Sequence, residues 1–94
     1  MSTDGMSQPK IVVYSGRFCG YCTAAERLLK SKNAVYELIK VDENPEMFEH
    51  MMEITGRRTI PQIFIGDYHV GGFDDLSALN QSGKLDELLN PDSY

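Results

Sequence analysis

Cys19 and Cys22 are the whole thiol content of this 94-residue chain, and they sit in the run Cys19-Gly20-Tyr21-Cys22. A pair at that spacing can exchange electrons with another disulfide, contribute to a metal site, or lock a short loop. A zinc site would want two further ligands, and only His50 and His69 are available, one in a helical stretch and one in a hairpin. A stapled small domain would want more crosslinks than one four-residue loop supplies. Redox exchange needs an exposed thiolate with a second thiol in reach. Cys19 would attack a disulfide, and Cys22 would then attack the mixed disulfide.

The elements around the pair decide whether it can work this way. Lys10 to Tyr14 is a β-branched run, apolar on both faces, that reads as a buried strand ended by Ser15 and Gly16. Cys19 to Ser31 reads as a helix. Cys22, Ala25, Leu28 and Leu29 share one face, and Glu26 and Lys30 are placed to pair on another. A thiol at a helix start meets unpaired backbone N–H groups and the positive end of the dipole. Both favour thiolate, so the pKa of Cys19 is expected below the free value of about 8.5. Cys22, one turn in, is expected to be more buried and less ionised.

Further along, Tyr36 to Val41 reads as a strand. Asn44 and Pro45 open a helix with Phe48, Met51, Met52 and Thr55 on one stripe, closed by Gly56. That spacing makes Met47, Met51 and Met52 packing residues, and Glu46, His50 and Glu53 a solvated face. Ile63 to Ile65 and Tyr68 to Val70 form a hairpin through Gly66-Asp67. Asp74 or Asp75 is expected to cap a helix carrying Leu76 and Leu79 that ends at Gly83, and Leu85, Leu88 and Leu89 suggest a last short helix. The order predicts an α/β domain with a four-stranded mixed sheet and helices on both faces. Its two βα units are expected to give parallel neighbours, and its hairpin an antiparallel edge.

Composition narrows the partners. The net charge of −5 argues against nucleic-acid binding, which asks for a basic face. The apolar runs are a few residues long, too short for a membrane-spanning helix. Between Lys40 and Lys84 the only basic residues are Arg57 and Arg58, a candidate anion contact in an acidic half. Residues 1–9 carry Asp4 and no apolar stretch. They read as a disordered tail rather than a signal peptide, ahead of a single domain over 10–90. The cytoplasm is the expected compartment, where a Cys pair is catalytic or metal-binding more often than structural.

With Cys-Gly-Tyr-Cys after the first strand, Thr59-Ile60-Pro61 before the third, and Gly71-Gly72-Phe73-Asp74-Asp75 after the fourth, the chain resembles the dithiol glutaredoxins from about Lys10 to Leu89. Thioredoxin fits less well, because the chain has no Trp and has Tyr21 where a Cys-Gly-Pro-Cys motif has Pro. The resemblance implies a thioredoxin-like fold. It also implies reduction of protein disulfides and glutathione mixed disulfides, with glutathione as co-substrate and disulfide-containing or glutathionylated proteins as partners.

The resemblance further implies a glutathione site. Pro61 would be cis and turn the Ile60 backbone toward the cysteinyl part of glutathione. Arg58 and Thr59 would lie beside the glycyl carboxylate. Gly72 would allow close approach, the Phe73, Asp74 and Asp75 amides would hold the γ-glutamyl carboxylate, and an Asp side chain would take its ammonium. Tyr21 would flank the groove.

Three positions depart from the family pattern. Gly20 replaces the usual Pro, Gly16 replaces a frequent Lys with Arg17 beside it as a substitute contact, and Phe73 stands where some relatives carry a third Cys. Absence of Pro at position 20 admits an alternative. In it, a [2Fe–2S] cluster joins two chains through each Cys19 and a glutathione thiol, in place of the expected monomer without metal.

Overall fold

The computed structural model describes residues 9–90. The expected tail of residues 1–9 therefore lies outside the described residues except for Pro9. The elements are β1 (Ile11–Ser15), α1 (Gly20–Ser31), β2 (Glu37–Lys40), α2 (Pro45–Thr55), β3 (Gln62–Ile65), β4 (Tyr68–Gly71), α3 (Phe73–Ser82) and α4 (Lys84–Leu89), with a 3-10 turn at Val41–Glu43. The four strands form one mixed sheet in the order β2-β1-β3-β4.

Period-two alternation splits the sheet into two cores. Ile11, Val13, Ile63 and Ile65 face one way, onto Ala25 and Leu29 of α1, Leu76 of α3, and Leu85 and Leu89 of α4. Tyr14 faces the other way with Val12 and Phe64, onto Met51 and the half-buried Met47, Phe48 and Met52 of α2. The three methionines of α2 are packing residues, as their spacing predicts. One side-chain pairing differs. Glu26 accepts a hydrogen bond from the Tyr36 hydroxyl at 2.8 Å, so the tyrosine, and not Lys30, is its partner. Burial and that bond push the Tyr36 hydroxyl up to about 12.

The second βα unit corrects the expected strand direction. Only β1 and β2 are parallel. β3 runs antiparallel to β1, with Tyr14 opposite Gln62, and β4 antiparallel to β3, with Ile63 opposite Gly71. The reversal has a consequence for chemistry. Ser15 ends β1, Gln62 begins β3 and Gly71 ends β4, so the segments beyond all three emerge at one end of the sheet. A parallel β3 would have sent Thr59-Ile60-Pro61 to the opposite end from Cys19.

Leu29 is fully buried between α1 and the sheet. Leu29→Ala should therefore lower unfolding free energy by about 2–5 kcal/mol. Urea denaturation checks this: Lys30→Ala, one exposed position on, should stay within about 0.5 kcal/mol of wild type.

Candidate active site

Cys19 is the N-cap of α1. Its backbone is extended (φ −116°, ψ 102°), its carbonyl accepts the first helical bond from the Thr23 N–H at 3.2 Å, and its sulfur accepts the Cys22 N–H at 3.2 Å. The sulfur thus occupies the position a capping oxygen would take, and answers one of the helix's unpaired donors. Cys19 is partly exposed, whereas Cys22 is 1% exposed. The two are joined as a disulfide with Cα atoms 5.2 Å apart. Phe18, just before the cap, has φ 54° and is wholly exposed.

Beside this helix start lies a cavity of about 250 Å³. Tyr21, Thr59, Ile60, Pro61, Gly72, Phe73, Asp74 and Asp75 all line it, joined by Arg57 and Gln62. The Ile60–Pro61 peptide is cis. The Tyr21 and Phe73 rings stack at 6.2 Å, so the residue in place of a third Cys meets α1 through its ring.

The start of α3 differs in detail from the expected cap. Gly72, not an aspartate, is the N-cap, and Asp75 reaches back to accept the Gly72 N–H at 3.0 Å. Asp75 also meets Arg57 at 3.7 Å. Gly71 has φ 111°, which requires glycine, and the Asp75 carboxylate lies where a Cβ would stand. The N–H groups of Phe73, Asp74 and Asp75 open the helix and have no acceptor within it. They make this end of the cavity a place for an anion.

Two expected cations stand elsewhere. Arg58 lines a neighbouring hollow with Val41, Asp42, Phe48 and Ile60. Arg17 is not among the walls of either. Its backbone N–H and its Nε meet the Asp42 carboxylate at 3.1 and 3.4 Å and hold that carboxyl below its usual range. Gly16 explains why a side chain is missing beside it: a Cβ there would stand 2.8 Å from Ile60 Cδ1. Arg57 and Gln62 are the cavity residues that sequence reasoning did not assign. Arg57 was visible only as half of the basic pair, and Gln62 only as the residue after Pro61.

Among the described residues, no three His, Cys, Asp or Glu gather as a metal site. His50 is exposed on α2. His69 is bonded through Nε2 to Gln62 Oε1 at 2.7 Å and stacks on Phe64 at 4.8 Å. Also among the described residues, no helix is long and apolar enough to cross a membrane.

Burial first, and then the charge of Arg57, hold the His69 ring below its ordinary range, while Asp75 pulls the other way. The folded chain therefore binds this proton less readily than the unfolded chain. The stability contributed by the neutral ring is present above the unfolded value of about 6.5, and is lost as pH falls from there through the folded value. Between pH 7 and pH 5 the urea midpoint of wild type should fall further than that of His69→Gln. Equal falls would remove His69 from the acid response.

Comparison with known proteins agrees with this geometry. The Glutaredoxin family model matches residues 11–70. The chain is 51% identical over 82 residues to a glutaredoxin of Neisseria meningitidis serogroup A, covering 86% of this chain and 96% of that one. Among solved structures it is similar to glutaredoxin from Brucella melitensis, with TM-score 0.81, 45% identity, and 93% and 95% of the two chains covered. It is also similar to buckwheat glutaredoxin in complex with glutathione, with TM-score 0.79, 35% identity, and 88% and 77% covered. Identity of this degree, sustained across a shared thioredoxin-like fold, establishes that the chain belongs to the glutaredoxin family of thiol–disulfide oxidoreductases.

Proposed function

We propose that this glutaredoxin reduces glutathione mixed disulfides and protein disulfides, with glutathione as the electron donor. The observation that carries the reading is the cavity beside α1, which sets the three leading amides of α3 and Arg57 against the carboxylate of Asp74. Donors for an anion beside an acceptor for a cation suit a γ-glutamyl group, which presents a carboxylate and an ammonium on one carbon. Ile60 is shared with the hollow that holds Arg58. An extended tripeptide lying over Ile60 would reach Arg58 and Thr59 with its glycyl carboxylate, with Pro61 and Gly72 forming the close walls. The similarity to the buckwheat glutathione complex supports the same ligand.

In the monothiol route the Cys19 thiolate attacks the glutathionyl sulfur of a protein mixed disulfide. The Cys19–glutathione bond forms, the old S–S bond breaks, and the protein thiolate leaves and takes a proton. A glutathione thiolate then attacks that bond, releasing glutathione disulfide and the Cys19 thiolate. In the dithiol route Cys19 bonds to one sulfur of a protein disulfide. Cys22, once deprotonated, displaces the protein and leaves the Cys19–Cys22 disulfide, which two glutathione molecules reduce. The exposed rings of Phe18 and Tyr21 flank Cys19 in sequence and give protein partners an apolar rim. Such chemistry suits a single domain over 10–90, acting as a monomer in the reducing cytoplasm.

Gly20 favours a second property. It is exposed, and nothing lies within 4 Å of where its Cβ would be. Cys19 of each of two chains, with two glutathione thiols, would then supply the four thiolates of a [2Fe–2S] cluster. Such a cluster stores and passes single electrons. Among the described residues no third His, Cys, Asp or Glu gathers with the Cys pair, and Cys22 is buried, so in this reading glutathione and a second copy would complete the set.

Mutagenesis and reconstitution test these readings. In a hydroxyethyl disulfide assay coupled to glutathione reductase, Cys19→Ser should have no activity. Cys22→Ser should still deglutathionylate a peptide; if it fails, the monothiol route is wrong. Arg58→Ala should raise the glutathione KM up to about tenfold, the effect of roughly 1.4 kcal/mol, and an unchanged KM would place Arg58 outside the site. Anaerobic reconstitution with iron, sulfide and glutathione should give a brown dimer of wild type. Gly20→Pro, which suits the first position of a helix, should give a colourless monomer. A colourless wild type ends the cluster reading, and two brown proteins end only its dependence on Gly20.

A further inference from the structure

Behind the cavity lies a hydrogen-bond chain that the redox chemistry does not use. Gln62 is 1% exposed, so its amide must be satisfied at both ends. Its Nε2 lies 3.0 Å from the Thr59 carbonyl and 3.1 Å from Thr59 Oγ1. A carbonyl only accepts, so this end of the amide is the NH₂, and both its hydrogens go to Thr59. The Oε1 end therefore faces His69 Nε2 at 2.7 Å. An amide oxygen also only accepts, so His69 Nε2 carries the hydrogen. Phe64, stacked on the imidazole at 22° between planes, holds the ring in place.

The last link determines what Thr59 can do. Its oxygen already accepts from Gln62, so the hydroxyl hydrogen turns elsewhere. Thr59 is exposed and lines the cavity. We infer that His69 and Gln62 are positioning residues that make the Thr59 hydroxyl a donor into the cavity, directed at a carboxylate or peptide carbonyl oxygen of the bound thiol compound. The inference rests on the reading that this cavity takes glutathione, and adds to it a direction: with one Thr59 lone pair occupied by Gln62, the hydroxyl hydrogen is given to the ligand.

S-methylglutathione, which cannot exchange disulfides, is the probe, titrated calorimetrically into the reduced full chain. Thr59→Val should weaken binding about tenfold, as for one lost hydrogen bond. His69→Ala should weaken it several-fold, and the double variant no further than Thr59→Val alone. His69→Gln, which restores an N–H at similar reach, should bind as wild type does. The alkylation rate of Cys19 should be the same in all four variants. If His69→Ala lowers only the thermal midpoint and leaves affinity unchanged, or if the two single effects add, the relay is refuted while the glutathione site stands. If wild type itself does not bind S-methylglutathione, the glutathione reading fails and takes the relay with it.

Discussion

The bond from the Cys22 N–H to the Cys19 sulfur is the constraint on which the rest depends. It puts a polarisable sulfur where a helix normally places a serine or aspartate oxygen, facing donors that lack partners. A negative charge on that sulfur is stabilised by the same groups, through hydrogen bonding and the helix dipole. The geometry is held from both sides. Ala25 and Leu29 anchor α1 in the core, and the chain enters the cap through Phe18 in a left-handed conformation. That conformation costs a bulky residue roughly 1–3 kcal/mol, so packing elsewhere must sustain it.

Strand direction then decides what surrounds the sulfur. Because β3 is antiparallel to β1, the loop with cis Pro61 opens at the same sheet end as Cys19, and β4 delivers Gly71-Gly72 there too. Each segment brings a different interaction. The helix start of α3 brings donors and acidic side chains, the loop before β3 brings the cis Ile60–Pro61 peptide and Thr59, and the first turn of α1 brings Tyr21. Asp75 joins two of these by capping α3 and meeting Arg57. Its carboxylate stabilises the helix and also lies against Gly71, whose φ of 111° only glycine readily adopts.

Much of this could be read from the sequence because local rules and the fold agree. Asn44-Pro45 and Gly56 bracket α2 as capping chemistry requires, with the Asn44 side chain accepting from the Met47 N–H and Gly56 at φ 70°. The alternation of β1 gives both cores. What escaped was non-local. The direction of β3 depends on how α2 crosses the sheet, which no run of residues records. Glu26 has a helical neighbour in Lys30, but a better partner ten residues on in Tyr36. Arg57 and Arg58 look equivalent in sequence, yet the turn out of α2 sends them into different hollows. Asp42 claims Arg17 from across the sheet end.

The account stands on the thiolate of Cys19, and the pH dependence of alkylation tests it most directly. The reduced chain, treated with iodoacetamide from pH 4 to pH 9 and mapped by mass spectrometry, should label Cys19 first at every pH. The Cys19 rate should inflect well below the free-thiol value of about 8.5, with Cys22 slow throughout. An inflection at the free-thiol value, or faster labelling of Cys22 at pH 6, would contradict it.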